Sequence, residues 1–137
     1  MTKKVLAFGT FDLFHPGHAF YLKQAKLRGD ELHVIVARDS TVMHVKNRPT
    51  LNKEQSRLSA IRTLTYVTKA YLGNEGDKFA LIEEIRPDVI CLGYDQKTFG
   101  KNLKEILNDR GLDPIIEVIP SYRPEKFKST KLRKRIT

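Results

Sequence analysis

The stretch VLAFGTFDLFHPGHAFYLKQA, residues 5–25, decides the fold. Its apolar run from Val5 to Phe8 reads as a buried strand, and Gly9 carries the turn signal that ends it and sends the chain toward a helix. Pro16 opens that helix, because the first helical position has no N–H bond to lose and proline's φ is already helical. His15 then falls at the cap and His18 one turn on. Residues three apart share a helix face, so both imidazoles reach the space over the N-terminus, where unpaired N–H groups and the positive dipole end attract anions. From the residues alone, the turn reads as a phosphate site. Two alternatives stand beside it. His15 and His18 could be ordinary histidines on a partly exposed first turn, the commoner fate of a short H-x-x-H pair. They could also bind zinc with Asp12, although the spacing lacks the second ligand cluster of closed metal sites.

Outward from this stretch, the helix continues through Ala19, Leu22 and Ala25 and closes at Arg28-Gly29-Asp30, with glycine in its usual place past the end. Leu32 to Ala37 is a second apolar run. Strand, helix and strand, each strand apolar throughout, argue for a parallel βαβ unit covered on both faces. Arg38 to Leu51 has weak periodicity and three basic residues, which predicts a largely irregular segment over the strand ends, with room for a short helical turn. A second helix is expected over Lys53–Leu64 through Leu58, Ile61 and Leu64, and a third strand over Val67–Leu72. A helix over Asp77–Ile85 stops at Arg86-Pro87, and a strand over Val89–Leu92 leads straight into Gly93-Tyr94-Asp95. A helix over Lys101–Arg110, a strand over Ile115–Ile119 and a last helix from Ser129 or Thr130 complete the reading. The expected fold is α/β, a single doubly wound, Rossmann-like sheet of five parallel strands ordered 3-2-1-4-5. That order opens a crevice between strands one and four, with the phosphate turn and Gly93-Tyr94-Asp95 facing each other across it.

With 137 residues, the chain suits one domain over 1–137. It has no apolar stretch of membrane-spanning length, and MTKKVLAFGT runs straight into the first strand, so neither a membrane segment nor a signal peptide is expected. The single cysteine, Cys91, lies in the apolar run VICLG and reads as a buried, quiet thiol, which fits the cytoplasm. The net charge is +9, and residues 122–137 hold seven Lys/Arg against one Glu, so +6 of it sits in the tail. Such a surface suits polyanionic company: nucleic acid, an anionic membrane, or phosphorylated small molecules. There is no P-loop and no G-x-G-x-x-G, which argues against P-loop ATPases and ordinary dinucleotide binding.

The ten residues Gly9-Thr10-Phe11-Asp12-Leu13-Phe14-His15-Pro16-Gly17-His18 resemble, without a break, the G-T-F-D-x-x-H-x-G-H signature of the cytidylyltransferase-like nucleotidyltransferases. The resemblance implies that His15 and His18 contact the phosphates and stabilise the α-phosphate under attack, with Gly9, Thr10 and Phe11 forming the phosphate turn. It implies a phosphate-reaching role for Lys46, whose alternative is a solvated loop lysine. Arg57 is similar to an arginine that the family places beside a glutamine, which implies a nucleotide contact; here Ser56 intervenes after Gln55. Gly93 and Asp95 are the implied nucleoside contacts, with Tyr94 and Gln96 in the same pocket; an Asx-turn is the alternative for Asp95. Ser129 and Thr130 resemble the family's final Ser/Thr motif, which binds the triphosphate, although Lys128 replaces a frequent hydroxyl and a plain N-cap would look the same.

Within the family, VIVARDSTV, RPDVICLGYDQKTF and FKSTKL look most like archaeal FAD synthases. That implies transfer of AMP from ATP to FMN with release of pyrophosphate. It also implies a magnesium ion carried with the triphosphate rather than a dedicated metal site, and a homodimer. Glycerol-3-phosphate cytidylyltransferase, using CTP, is the alternative enzyme. A basic nucleic-acid-binding module is the alternative of another class; it leaves the H-x-G-H turn unexplained.

Overall fold

Alternating apolar runs and helices build one parallel sheet in the computed structural model, which describes residues 2–96 and 100–122. Its strands are β1 (Lys4–Gly9), β2 (Glu31–Val36), β3 (Lys69–Leu72), β4 (Val89–Gly93) and β5 (Ile115–Ile119). They pair in the order β3-β2-β1-β4-β5, as the βαβ reading requires. The helices are α1 (Pro16–Lys26), α2 (Asp39–Lys46), α3 (Glu54–Arg62), α4 (Ala80–Ile85) and α5 (Leu103–Asp109). The central strands β1, β2 and β4 carry apolar runs because both of their faces are covered, while the edge strands β3 and β5 are more exposed. Val5, Ala7, Val34 and Cys91 pack with Leu22 and Ala25 of α1 and Leu58 and Ile61 of α3. Leu6, Ile35, Ile90 and Leu92 pack with Ile82 and Ile85 of α4 and Leu103 and Leu107 of α5. Each buried aliphatic side chain contributes roughly 1.5–3 kcal/mol. Burial also pushes the Cys91 thiol up to about 11, so it stays protonated and inert near neutrality.

The register locates the crevice. β1 pairs with β2 over its whole length, Lys4↔Glu31 to Gly9↔Val36, but with β4 only from Val5↔Val89 to Ala7↔Cys91. β4 itself continues, pairing with β5 as far as Gly93↔Ile119. The two central strands therefore part before either has ended, at the point where the winding reverses and α/β sheets bind ligands.

One segment differs from its sequence reading. Arg38 to Leu51, expected to be largely irregular, contains the helix α2. Val42 is its one buried residue, so no apolar stripe announced it, and Arg38 at its cap makes no side-chain capping bond. What holds it is long-range. The Asp39 N–H donates to Glu54 Oε1 at 2.8 Å, and the Glu54 N–H donates to Asp39 Oδ2 at 3.2 Å. The first residues of α2 and α3 thus cap each other, which no local pattern encodes. The other expected elements form: β1 and β4 run slightly longer, β2 is shifted by one residue, β5 matches, and α3, β3, α4 and α5 are shorter; the last helix, expected from Ser129 or Thr130, lies outside the described residues. Among the described residues, no helix is long and apolar enough to cross a membrane.

Candidate active site

The H-x-G-H turn folds into a capping box made of two imidazoles. His15 caps α1, and its Nδ1 accepts from the Gly17 N–H at 3.0 Å, while His18 Nδ1 accepts from the His15 N–H at 3.3 Å. The rings stack with centroids 3.8 Å apart. A ring nitrogen that accepts carries no proton, so each neutral imidazole is held as the tautomer protonated at Nε2. This revises one expectation. The helix terminus does not offer its Gly17 N–H directly to an anion; it passes the polarity through the rings, backbone N–H to Nδ1 and Nε2–H outward.

His18 must stay neutral for this, and it does. Its burial, the adjacent His15 and the charge of Lys46 depress its pKa to about 4, against an opposing pull from Asp95. The unfolded chain, with His18 near its ordinary value of about 6.5, binds a proton that the folded chain refuses down to pH near 4. Stability should therefore fall as pH drops through that window, and no further from this group below it. Thermal denaturation of wild type and His18→Gln between pH 7 and 4.5 checks the sign: the wild type should lose more.

Gly17 makes room for the His15 ring. A Cβ there would lie 2.8 Å from His15 Cε1 and 3.1 Å from Nδ1. The ring can swing away, so Gly17→Ala is expected to change stability by less than about 1 kcal/mol while lowering kcat roughly tenfold or more through misplacement of one donor. Parallel denaturation and turnover measurements check the split; unchanged kcat would mean that the ring position is immaterial.

The turn after β1 is braced from behind. Phe11, at φ 54°, tucks its ring under Gly9, where a Cβ would come within 2.4 Å of it. Both oxygens of Asp12 accept backbone N–H groups, from Leu51 and Asn52, each at 2.8 Å, and the Asn52 amide donates to the Asp12 carbonyl. Burial opposes ionisation of Asp12, but these bonds and the Arg57 charge outweigh it and hold the pKa below the usual carboxylate range. Asp12 is thus a clip between two loops, which takes from the zinc alternative its third ligand.

Arg57, expected to contact nucleotide, points inward instead. Its side chain is 1 % exposed. It donates to the carbonyls of Asn52 (3.0 Å), Thr10 (2.9 Å) and Ala37 (2.8 Å) and to Asp39 Oδ1 (2.6 Å). That bond to Arg57 is the main cause of the lowered pKa of Asp39. Arg57 joins the ends of β1 and β2, the 50–52 loop and α2 from within, acting on the turn through the Thr10 carbonyl.

Lys46 closes α2 and is exposed, and its charge, like that of Asp95, is felt at His18. Asp95 is exposed beyond β4, while the Gly93 N–H is taken by Gln96 Oε1 at 2.7 Å. His15, Lys46 and Asp95 thus all act electrostatically on His18. Ser129 and Thr130 lie outside the described residues.

The model of the family described as Cytidylyltransferase-like matches residues 6–135. The chain belongs to the cytidylyltransferase-like family. Relatives include the FAD synthase of Methanosarcina barkeri, 52% identical over 117 residues, spanning 85% of this chain and 83% of that one. The FAD synthase of Methanoculleus marisnigri is 47% identical over 133 residues, spanning 97% and 88%. Among solved structures, the lipopolysaccharide core biosynthesis protein of Thermoplasma volcanium superposes with a TM-score of 0.85 at 42% identity, covering 90% of this chain and 100% of that one. In this cytidylyltransferase-like chain, sequence reasoning missed Asp39, Asn52 and Tyr21, whose hydroxyl accepts from the Phe8 N–H. Asp39 and Asn52 act across long separations. Tyr21 had a local signal: it lies three residues after His18, on the same helix face.

Proposed function

We propose that this chain is a FAD synthase: it transfers the adenylyl group of ATP to the phosphate of FMN, releasing pyrophosphate. A phosphate oxygen of FMN attacks the α-phosphorus of ATP, a new P–O bond forms, and the bond from the α-phosphorus to its bridging oxygen breaks. Such a transfer needs alignment and positive groups around growing charge more than covalent help. The observation that carries the reading is the pair of imidazoles locked as Nε2–H donors at the parted strands. The shared name of the archaeal relatives supports ATP and FMN as the substrates.

In this reading His15 and His18 donate to the α-phosphate, Lys46 adds charge, and Gly9-Thr10-Phe11 seats the phosphates. Gly93 and Asp95 frame the nucleoside, and Ser129 and Thr130 complete the triphosphate site. The donors at the turn suit phosphate oxygens. Magnesium suits the same site as a passenger on the triphosphate that keeps most of its water and neutralises phosphate charge. A cytoplasmic location and a homodimer belong to this proposal on the strength of the family resemblance; a monomeric mass in sedimentation at micromolar concentration would contradict the dimer.

The test is a matrix of pyrophosphate release with magnesium, ATP or CTP, and FMN, glycerol 3-phosphate, phosphopantetheine or a sugar phosphate as acceptor. A sugar phosphate is included because the Thermoplasma protein bears a different name. FMN with ATP should turn over fastest. Release with no pair would end the enzyme reading, and a preference for another acceptor would move the chain within the family.

A further inference from the structure

The parting of β1 and β4 is built by two side chains inserted where backbone bonds would otherwise form. The Asp88 N–H donates to the Lys4 carbonyl, so Lys4, Leu6 and Phe8 direct their backbone groups toward β4. One step past Ala7↔Cys91, the ladder would pair Phe8 with Leu92 through two bonds: Phe8 N–H to the Cys91 carbonyl, and Gly93 N–H to the Phe8 carbonyl. Each bond is relayed instead. The Tyr21 hydroxyl accepts from the Phe8 N–H at 3.1 Å and donates to the Cys91 carbonyl at 2.6 Å. The Gln96 amide accepts from the Gly93 N–H at 2.7 Å and donates to the Phe8 carbonyl at 3.0 Å. All four backbone groups stay satisfied without closing that step of the ladder.

We propose that Tyr21 and Gln96 are positioning residues that hold the crevice open for the nucleotide and set its two walls relative to each other. Each is tethered to one wall: Tyr21 sits on α1, which carries His15 and His18, and Gln96 directly follows Asp95. Without the relays, the ladder bonds can close one step further and narrow the site from its floor. The inference rests on the reading of this crevice as the ATP site, and it assigns no contact with substrate to either side chain.

The test measures ATP affinity by calorimetry without acceptor, the KM values for ATP and FMN, and the melting temperature, for Gln96→Ala and Tyr21→Phe. Gln96→Ala frees the strands to close, and Tyr21→Phe keeps the ring but removes the relay. Both should weaken ATP binding and raise the KM for ATP roughly tenfold, the scale of one lost hydrogen bond network member, with a smaller effect on the KM for FMN. Lower melting temperatures with wild-type ATP affinity would make the relays purely structural and overturn the proposal. If the wild type binds ATP but makes no FAD, the function fails while this test still runs on affinity; a wild type without ATP affinity overturns both.

Discussion

Replacing His18 with alanine is expected to lower kcat by roughly a hundredfold or more, the usual loss for one preorganised donor to a developing charge. The KM for ATP should move much less, because the donor is worth most when charge accumulates on the α-phosphate. Stability should fall by only about 1 kcal/mol. The variant loses an Nδ1 acceptor for the His15 N–H and an edge-on contact with Phe11, whose ring centroid lies 5.3 Å away. Steady-state kinetics beside chemical denaturation separate the two effects. Turnover near wild type would return both histidines to the ordinary reading of a first-turn pair.

Arg57→Ala should do the reverse, with its largest effect on the fold. It removes four hydrogen bonds from a side chain that is 1 % exposed, leaving the carbonyls of Thr10, Ala37 and Asn52 without this donor and Asp39 without its guanidinium. The cost should be about 3 kcal/mol or more, since buried polar groups stripped of partners carry their full desolvation penalty. Asp39 is 41 % exposed and can turn to water, so the stranded carbonyls dominate. Arg57→Lys should recover little, because an ammonium cannot span acceptors on four segments as a planar fork does. Urea denaturation checks the size. Unchanged stability with lost ATP affinity would mean that Arg57 faces nucleotide rather than the frame.

These two residues mark where the sequence was legible and where it was not. The strand order, the crevice and the positions of His15, His18 and Asp95 followed from local signals: apolar runs, Pro16 at a helix start, and a distinctive turn after each central strand. What stayed hidden depends on partners far along the chain. Helix α2 has no apolar stripe and is capped by Glu54, 15 residues on. Arg57 in EQSR was expected to contact nucleotide, and nothing local shows that its carbonyl partners at Thr10 and Ala37 lie 47 and 20 residues away. The tautomer of the two histidines was hidden too, because it depends on which ring nitrogen faces the backbone.

Nucleotidyl transfer is tested most directly by following each phosphate of ATP. Purified protein with magnesium and FMN would be given ATP labelled at the α-phosphate in one reaction and at the γ-phosphate in another. Attack at the α-phosphorus should place the α label in FAD and the γ label in pyrophosphate, in equal amounts. A γ label in the flavin product, or one released as orthophosphate in step with flavin turnover, would mean that the H-x-G-H site directs a different displacement and would contradict nucleotidyl transfer.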